Sequence, residues 1–161
     1  SWWGLDGLAY GEVKSPGDVA AIRWLSGNVE PGDILLEAAG CSYHPFGCLP
    51  FNRISAFTGI PTAIGWDNHE RQWRAGQPEA LEQIARRQED VASMMADPES
   101  GLFEKYGITW LIVGDYEVGN WRSECPTAGP YATLNRSALP GASWDEVFAS
   151  DQTRIYRRRD S

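Results

Sequence analysis

The fold class is decided by a short stretch, ITWLIV at residues 108–113, which Gly114 closes. Its β-branched and aromatic side chains suit a buried, pleated surface, so it predicts a central strand. Two other short apolar runs, DILLEA at residues 33–38 and IPTAIG at residues 60–65, predict a first and a second strand that precede it.

Helical patterns lie before and between these strands. Ser15 is placed as the N-cap of a helix, Asp18 completes a capping box, and Gly27 ends the helix. Residues 78–96 predict the longest helix, because apolar side chains gather near one side and charged side chains lie elsewhere. A shorter helix is predicted over residues 100–106.

Near the C-terminus, residues 144–149 and 153–157 predict two strands in antiparallel register. Strands that are separated by helical crossovers favour a parallel sheet. We therefore expect an α/β fold: a three-layer sandwich with a mostly parallel sheet, helices on both faces and an antiparallel C-terminal edge hairpin. A single α/β domain is expected at residues 15–161, after a segment at residues 1–14 without clear periodicity.

Length and charge narrow the class of partner. The chain has 161 residues, enough for one domain with a real core. Its net charge of -8 disfavours nucleic acid and anionic membrane surfaces, which both reward clustered lysine and arginine. No apolar run in the sequence approaches the roughly 20 residues that a transmembrane helix needs.

A polar and aromatic cluster, GWDNHERQWR at residues 65–74, is the main candidate binding site. It directly follows the second predicted strand, and binding sites in open α/β sheets lie where strands end. The planar guanidinium group of arginine can donate two parallel hydrogen bonds, which suits carboxylate, phosphate or sugar hydroxyls as ligands. The candidate binding residues in this stretch are Trp66, His69, Glu70, Trp73 and Arg74.

Two further candidate binding residues, Glu37 and Arg53, lie outside that cluster. Glu37 is near the end of the first predicted strand, where its carboxylate is expected to bind a hydroxyl or to pair with Arg53 or Arg74. We expect these side chains to share one sheet edge, with Glu37 and His69 on the order of 10 Å apart. An internal ion pair that orders the loop at residues 39–59 is the alternative.

His69-Glu70 is also compatible with a general acid–base pair or with the start of a metal site. A zincin motif needs a second histidine four residues on, and Trp73 occupies that position. The sequence contains no GxGxxG or GxSxG motif. We assign no catalytic residue, metal or cofactor. A self-sufficient hydrolase or metal-dependent enzyme using His69 and Glu70, and a purely structural domain, stay open as alternatives.

Cys41 and Cys48 are seven residues apart in a loop-like stretch and are expected to form a disulfide. A zinc site that includes His44 is the competing interpretation, but its spacing matches no usual zinc knuckle. Cys125 is left over and is expected to pack as a small apolar residue.

Several segments together resemble a known family. They are LDGLAY at residues 5–10, Asp18 with AIRWL at residues 21–25, EAAG at residues 37–40 with Tyr43, RISAFTG at residues 53–59, the cluster at residues 65–74, and residues 106–114 with Glu117. The pattern is similar to the soluble C-terminal region of the YYY (DUF2298) family of multi-spanning membrane proteins.

The resemblance implies an extracytoplasmic domain that follows the transmembrane region and is membrane-anchored in the full-length protein. Those transmembrane helices look like GT-C glycosyltransferases, which use lipid-linked sugar donors and carry the catalytic acid between membrane helices. This domain would then shape or recognise the acceptor side, with its own transmembrane region and a glycan or lipid-linked sugar as partners. The resemblance also adds Tyr43 to the candidate binding residues. The Cys41–Cys48 insertion departs from the family pattern.

Overall fold

The structure is a computed structural model that describes residues 7–40, 42, 50–119 and 133–159. Within these residues the chain forms a mixed α/β domain with one four-stranded sheet. The strands are β1 (Leu35–Leu36), β2 (Trp110–Val113), β3 (Trp144–Ser150) and β4 (Thr153–Arg158). Their order in the sheet is β1-β2-β4-β3.

The expectation of a mostly parallel sheet is wrong. Strands β1 and β2 pair in parallel, whereas β4 pairs antiparallel with both β2 and β3, so two of the three described strand pairings are antiparallel. The expected C-terminal hairpin forms, and its second strand inserts beside β2. The run at residues 60–65 forms only a bridge between Leu35 and Thr62. Pro61 has no N–H and meets β1 through its carbonyl, which accepts from the Leu35 N–H at 2.9 Å.

Six helices are present in the described part of the chain. They are α1 (Gly7–Lys14), α2 (Pro16–Leu25), α3 (Arg53–Thr58), α4 (Asp67–Trp73), α5 (Pro78–Ala96) and α6 (Leu102–Lys105), and a 3₁₀ turn lies at Arg136–Ala138. The predictions of α2 and α5 are confirmed, and α6 is shorter than expected. Helices α1, α3 and α4 were not expected. None of the described helices is both long and apolar enough to cross a membrane.

Helices pack on both faces of the sheet, as expected. Successive side chains of β2 point to opposite faces, so Trp110 and Ile112 join one apolar cluster while Leu111 and Val113 join the other. The first cluster contains Ala21, Ile22 and Leu25 of α2, and the second contains Ile84, Val91, Met94 and Met95 of α5. Burial on both faces explains why β2 is continuously apolar.

Candidate functional site

The structure divides the predicted site residues into two groups, one buried and one that lines an open pocket. Glu37 and Arg53 lie in the interior and form a buried charge cluster with Asp18 and Glu117. Side chains of α4 and of Trp66, the residue before it, line an open pocket, which we call the α4 pocket. Its lining residues are Trp66, His69, Glu70 and Trp73, with Asn52, Ser55, Ala56, Thr62 and Gly65 from other segments. Glu37 and Arg53 thus do not line the α4 pocket, and the distance expected between Glu37 and His69 stays a prediction.

Arg53 is the centre of the buried charge cluster. Its Nε and Nη2 donate to the two carboxylate oxygens of Asp18 at 2.5 and 3.0 Å, while Nη1 and Nη2 donate to those of Glu117, each at 3.0 Å. Its guanidinium also lies 4.6 Å from the centre of the Tyr116 ring. Burial alone would lower the pKa of Arg53, but the Asp18 and Glu117 carboxylates outweigh it and hold the pKa well above its ordinary value. The guanidinium thus stays charged and joins two bidentate carboxylates.

Glu37 acts as a cap for α3. Its Oε2 accepts the Ile54 N–H at 2.9 Å and its Oε1 accepts the Ser55 N–H at 2.7 Å, which satisfies two free amides at the helix start. Asn52 precedes the helix with a φ of 56° and makes no side-chain cap. Burial raises the pKa of Glu37 to about 7, against the opposing effects of Arg53 and the two N–H groups. Glu37 is therefore a scaffold residue that orients α3, and its carboxylate lies 3.7 Å from Arg53 Nη1.

Sequence reasoning missed two members of the buried charge cluster as site residues. The capping box expected for Asp18 is wrong, because its carboxylate accepts from Arg53 and from Thr153 Oγ1 at 2.9 Å, and Ser15 makes no side-chain cap. The Glu117 carboxylate accepts hydrogen bonds from Arg53 and from two backbone N–H groups, those of Ala38, shortly after β1, and of Gly114. These partners are 35 and 64 positions from Arg53, so no local spacing reveals them. Asp18 and Glu117 do occur among the segments that carry the family resemblance.

The α4 pocket is built on one face of a helix. Positions 66, 69, 70 and 73 are spaced by three or four residues, which places their side chains in one row. The His69 ring centre lies 5.5 Å from that of Trp66 and 5.4 Å from that of Trp73, the latter pair nearly perpendicular. The pocket has a volume of about 250 Å³ and is open to solvent on one side.

The two tryptophans differ in how firmly they are held. Trp66 is half-buried, and its Nε1 donates to the Phe51 carbonyl at 2.6 Å, so its ring is a fixed wall. Trp73 is 73% exposed. A large aromatic ring that stays in contact with water beside an open pocket is suited to cover a ligand.

Glu70 and Arg74 form an ion pair at i,i+4 on α4, and both side chains remain partly exposed. Gly65 lies against the Glu70 carboxylate, since a Cβ at this glycine would stand 3.1 Å from Glu70 Oε1. Arg74 does not line the α4 pocket itself but borders the small neighbouring cavity that Glu70 also lines. The negative charge of the Glu70 carboxylate, which faces the α4 pocket, is thus balanced by Arg74 one helical turn further on.

Tyr43, Cys41 and Cys48 lie outside the described residues, as does His44. The disulfide stays a prediction, and intact mass after alkylation without reduction would test it, because a bridge protects both thiols. Among the residues that the structure describes, no group of three or more His, Cys, Asp or Glu side chains is arranged to hold a metal ion.

The chain matches no protein-family model, and no curated protein is significantly similar to it. The resemblance to the YYY family accordingly stays an interpretation of the quoted residues.

Proposed function

We propose that this chain is the extracytoplasmic recognition domain of a membrane-embedded, GT-C-like glycosyltransferase, and that the α4 pocket binds a glycan on the acceptor side. The observation that carries the proposal is the exposed Trp73 ring, in one row with His69 and Glu70 at the mouth of an open pocket. An aromatic face beside a carboxylate matches the two kinds of surface on a sugar ring, its C–H face and its hydroxyls.

The pocket favours binding over catalysis. Glycoside chemistry commonly uses two carboxylates that flank the scissile bond. The described lining of the α4 pocket offers one, Glu70, and Arg74 already pairs with it. His69 lies between two tryptophan rings, and a general base needs a further polar group to orient it. We therefore expect no glycosyl transfer and no hydrolysis by this domain alone.

The membrane-anchored placement is supported by the residues that resemble the YYY family. In that arrangement the transmembrane region would supply the donor site and the catalytic acid, and this domain would hold the acceptor. Asp18, Arg53 and Glu117 are committed to one another, which leaves the α4 pocket as the accessible part of the predicted site among the described residues.

A titration of the ¹⁵N-labelled chain with a panel of methyl glycosides and short oligosaccharides tests the proposal. We expect amide shifts at His69, Glu70 and Trp73, and an affinity at least about tenfold lower in Trp73→Ala, which corresponds to roughly 1.4 kcal/mol. Tyr10→Ala is the matched control, because it removes another exposed ring, on α1, and should leave the affinity unchanged.

Two results would overturn the proposal. Absence of shifts at the α4 pocket with every glycan of the panel would leave the domain without the expected ligand. Turnover of a glycoside or ester that His69→Ala abolishes would favour the self-sufficient hydrolase instead.

A further inference from the structure

We propose that the α4 pocket selects a neutral sugar ring that donates its hydroxyl hydrogens, and that it discriminates against sugar acids and sugar phosphates. This inference rests on the proposed function and extends it from glycans in general to one ligand chemistry. It follows from a count of hydrogen-bond donors and acceptors on the pocket wall, together with the charge and size of the pocket.

Three donors on the pocket wall are already used within the protein. Trp66 Nε1 donates to the Phe51 carbonyl at 2.6 Å, Ser55 Oγ to the Ile60 carbonyl at 2.8 Å, and Asn52 Nδ2 to the Ile64 carbonyl at 2.9 Å. Carboxylate and phosphate groups carry only acceptors at neutral pH and need donors from their site. Among the other lining side chains, His69 and Thr62 also carry donors, but an anion bound to them would lie in the same pocket as the Glu70 carboxylate, which repels it.

Acceptors, in contrast, remain available. Glu70 presents a carboxylate with more lone pairs than Arg74 occupies, and Ser55 Oγ keeps its own lone pairs after donating to Ile60. Asn52 Oδ1 has no hydrogen-bond partner among the described residues, although the residue is only 4% exposed. A buried amide oxygen without a partner destabilises the fold, so a ligand hydroxyl that reaches it recovers part of that cost.

The orientation of the Asn52 amide is fixed by its contacts. A flipped amide would place Oδ1 against the Ile64 carbonyl, so Nδ2 must face Ile64 and Oδ1 must face away from it. Oδ1 is covered from bulk water, and Asn52 is one of the residues that line the α4 pocket. We expect a bound sugar to bring a hydroxyl to this oxygen, and Asn52 has a signal of its own in the side-chain amide region of an NMR spectrum.

Charge and size agree with this chemistry. The Glu70–Arg74 pair leaves no surplus positive charge for an anion and no unpaired carboxylate for an ammonium group. A volume of about 250 Å³ lies just below the range of about 300–1,000 Å³ that is usual for ligand pockets, so it suits a ligand as small as one sugar ring. The exposed Trp73 ring is then the stacking face for that ring.

The test compares neutral and charged ligands by ¹⁵N NMR titration of the intact chain. The neutral probes are methyl β-glucopyranoside, methyl β-galactopyranoside and methyl α-mannopyranoside, and the charged probes are glucuronic acid, glucose 1-phosphate and tetramethylammonium. We expect one neutral glycoside to bind at least about tenfold tighter than every charged probe. The Asn52 side-chain amide should shift, whereas that of Asn28, which donates to the Trp24 carbonyl on the exposed surface, should not.

Glu70→Gln sharpens the test, because it weakens the acceptor and leaves Arg74 without its partner. The neutral glycoside should bind at least about fivefold more weakly, and its preference over glucuronic acid should fall at least about tenfold. Glu82→Gln is the matched control, since it breaks the i,i+4 pair with Arg86 on α5 and lies outside the α4 pocket. It should change neither affinity.

The outcomes separate this inference from the proposed function. Glucuronic acid or glucose 1-phosphate binding as tightly as the best neutral glycoside overturns the neutral-ligand inference and leaves glycan recognition in place. The same holds if Glu70→Gln leaves the preference unchanged. Preference for tetramethylammonium, or no binding of any sugar, overturns both.

Discussion

The buried charge cluster and the Glu70–Arg74 pair beside the α4 pocket both join an arginine to a carboxylate, but the two arginines lie in opposite environments. The Arg53 side chain is 0% exposed and bonds two carboxylates, whereas the Arg74 side chain is 43% exposed and bonds one. A buried charge that loses its partner costs several kcal/mol, whereas an exposed pair is worth about 0–1 kcal/mol. The same residue types therefore hold the fold together in one region and remain available for a ligand in the other.

The two regions are connected through α3. Glu37 holds the first amides of this helix, and Arg53 is its first residue, while Asn52, Ser55 and Ala56 form one wall of the α4 pocket. The buried charge cluster thus positions the pocket wall without lining it. Changes in the cluster should act first on stability, and changes in the pocket should act first on binding.

The largest effect is expected from Arg53→Met. Removing the guanidinium leaves Asp18 and Glu117 as buried carboxylates without their counterion, so the free energy of unfolding should fall by about 3–5 kcal/mol. Urea unfolding at pH 7 measures it. Arg86→Met, which breaks an exposed pair with Glu82, is the control and should cost less than about 1 kcal/mol. Equal costs for both variants would show that the buried charge cluster contributes no more than a surface pair.

The second effect is a pH dependence from Glu37. Its pKa is raised from 4.5 to about 7 in the folded chain, mainly by burial, so the folded state binds the proton more tightly than the unfolded state. Its contribution to stability is complete below pH 4.5 and is lost as the pH rises to about 7, by as much as roughly 3 kcal/mol. Unfolding free energies measured across this window should fall with pH.

Glu37→Gln should flatten that slope, and Glu82→Gln, an exposed control, should preserve it. A hydrogen bond from Lys105 lowers the pKa of Asp90 from 3.8, and one from Arg159 lowers that of Asp145 from 3.8. Both carboxyls therefore change their charge below this pH window. Stability that rises between pH 4.5 and 7 in the native chain and in Glu37→Gln alike would refute this role for Glu37.

Two glycines give a smaller and more direct comparison of the regions. A Cβ at Gly114 would stand 3.1 Å from Arg53 Nη2 and 3.2 Å from Asp18 Oδ1, whereas a Cβ at Gly65 would stand 3.1 Å from Glu70 Oε1. The first contact meets charges that cannot move, and the second meets the end of a partly exposed side chain. Gly114→Ala should cost about 1–3 kcal/mol and Gly65→Ala less than about 1 kcal/mol, by thermal or urea unfolding. The reverse order would contradict the difference in rigidity.

The smallest effect on stability is expected from Glu70→Gln. It breaks an exposed pair at i,i+4, so the free energy of unfolding should change by less than about 0.5 kcal/mol, even though ligand preference changes. A loss above about 2 kcal/mol in urea unfolding would mean that the Glu70–Arg74 pair is part of the scaffold.

Local patterns in the sequence predicted the elements whose stability is local. Helix α5 has the predicted bounds of residues 78–96, and the hairpin formed by β3 and β4 agrees with its prediction to within one residue at each end. The stretch at residues 65–74 stays a predicted site, and several of its residues line one pocket. Its helix was not expected, since no side chain caps its start. Its aromatic row becomes visible only once the helical spacing is known.

Long-range pairing could not be predicted in the same way. Element order suggested a parallel sheet. On the side away from β1, however, β2 pairs with β4, and the paired residues are more than 40 positions apart in the chain. Asp18 has the spacing of a helix cap and is instead drawn inward by Arg53, an interaction that only the tertiary fold creates. Glu37 and Arg53 were correctly grouped, and the alternative of an internal ion pair describes them better than a ligand site.

The division between a stabilising cluster and a binding pocket is tested most directly by the stability that a ligand adds. The free energy of unfolding would be measured with increasing amounts of the best neutral methyl glycoside, in the native chain and in Trp73→Ala. We expect equal stability without sugar to within about 1 kcal/mol, because Trp73 is 73% exposed. At ten times the native dissociation constant, the increase should be about 1.4 kcal/mol in the native chain and no more than about 0.4 kcal/mol in Trp73→Ala. An equal increase in Trp73→Ala, or none in the native chain, would contradict the account.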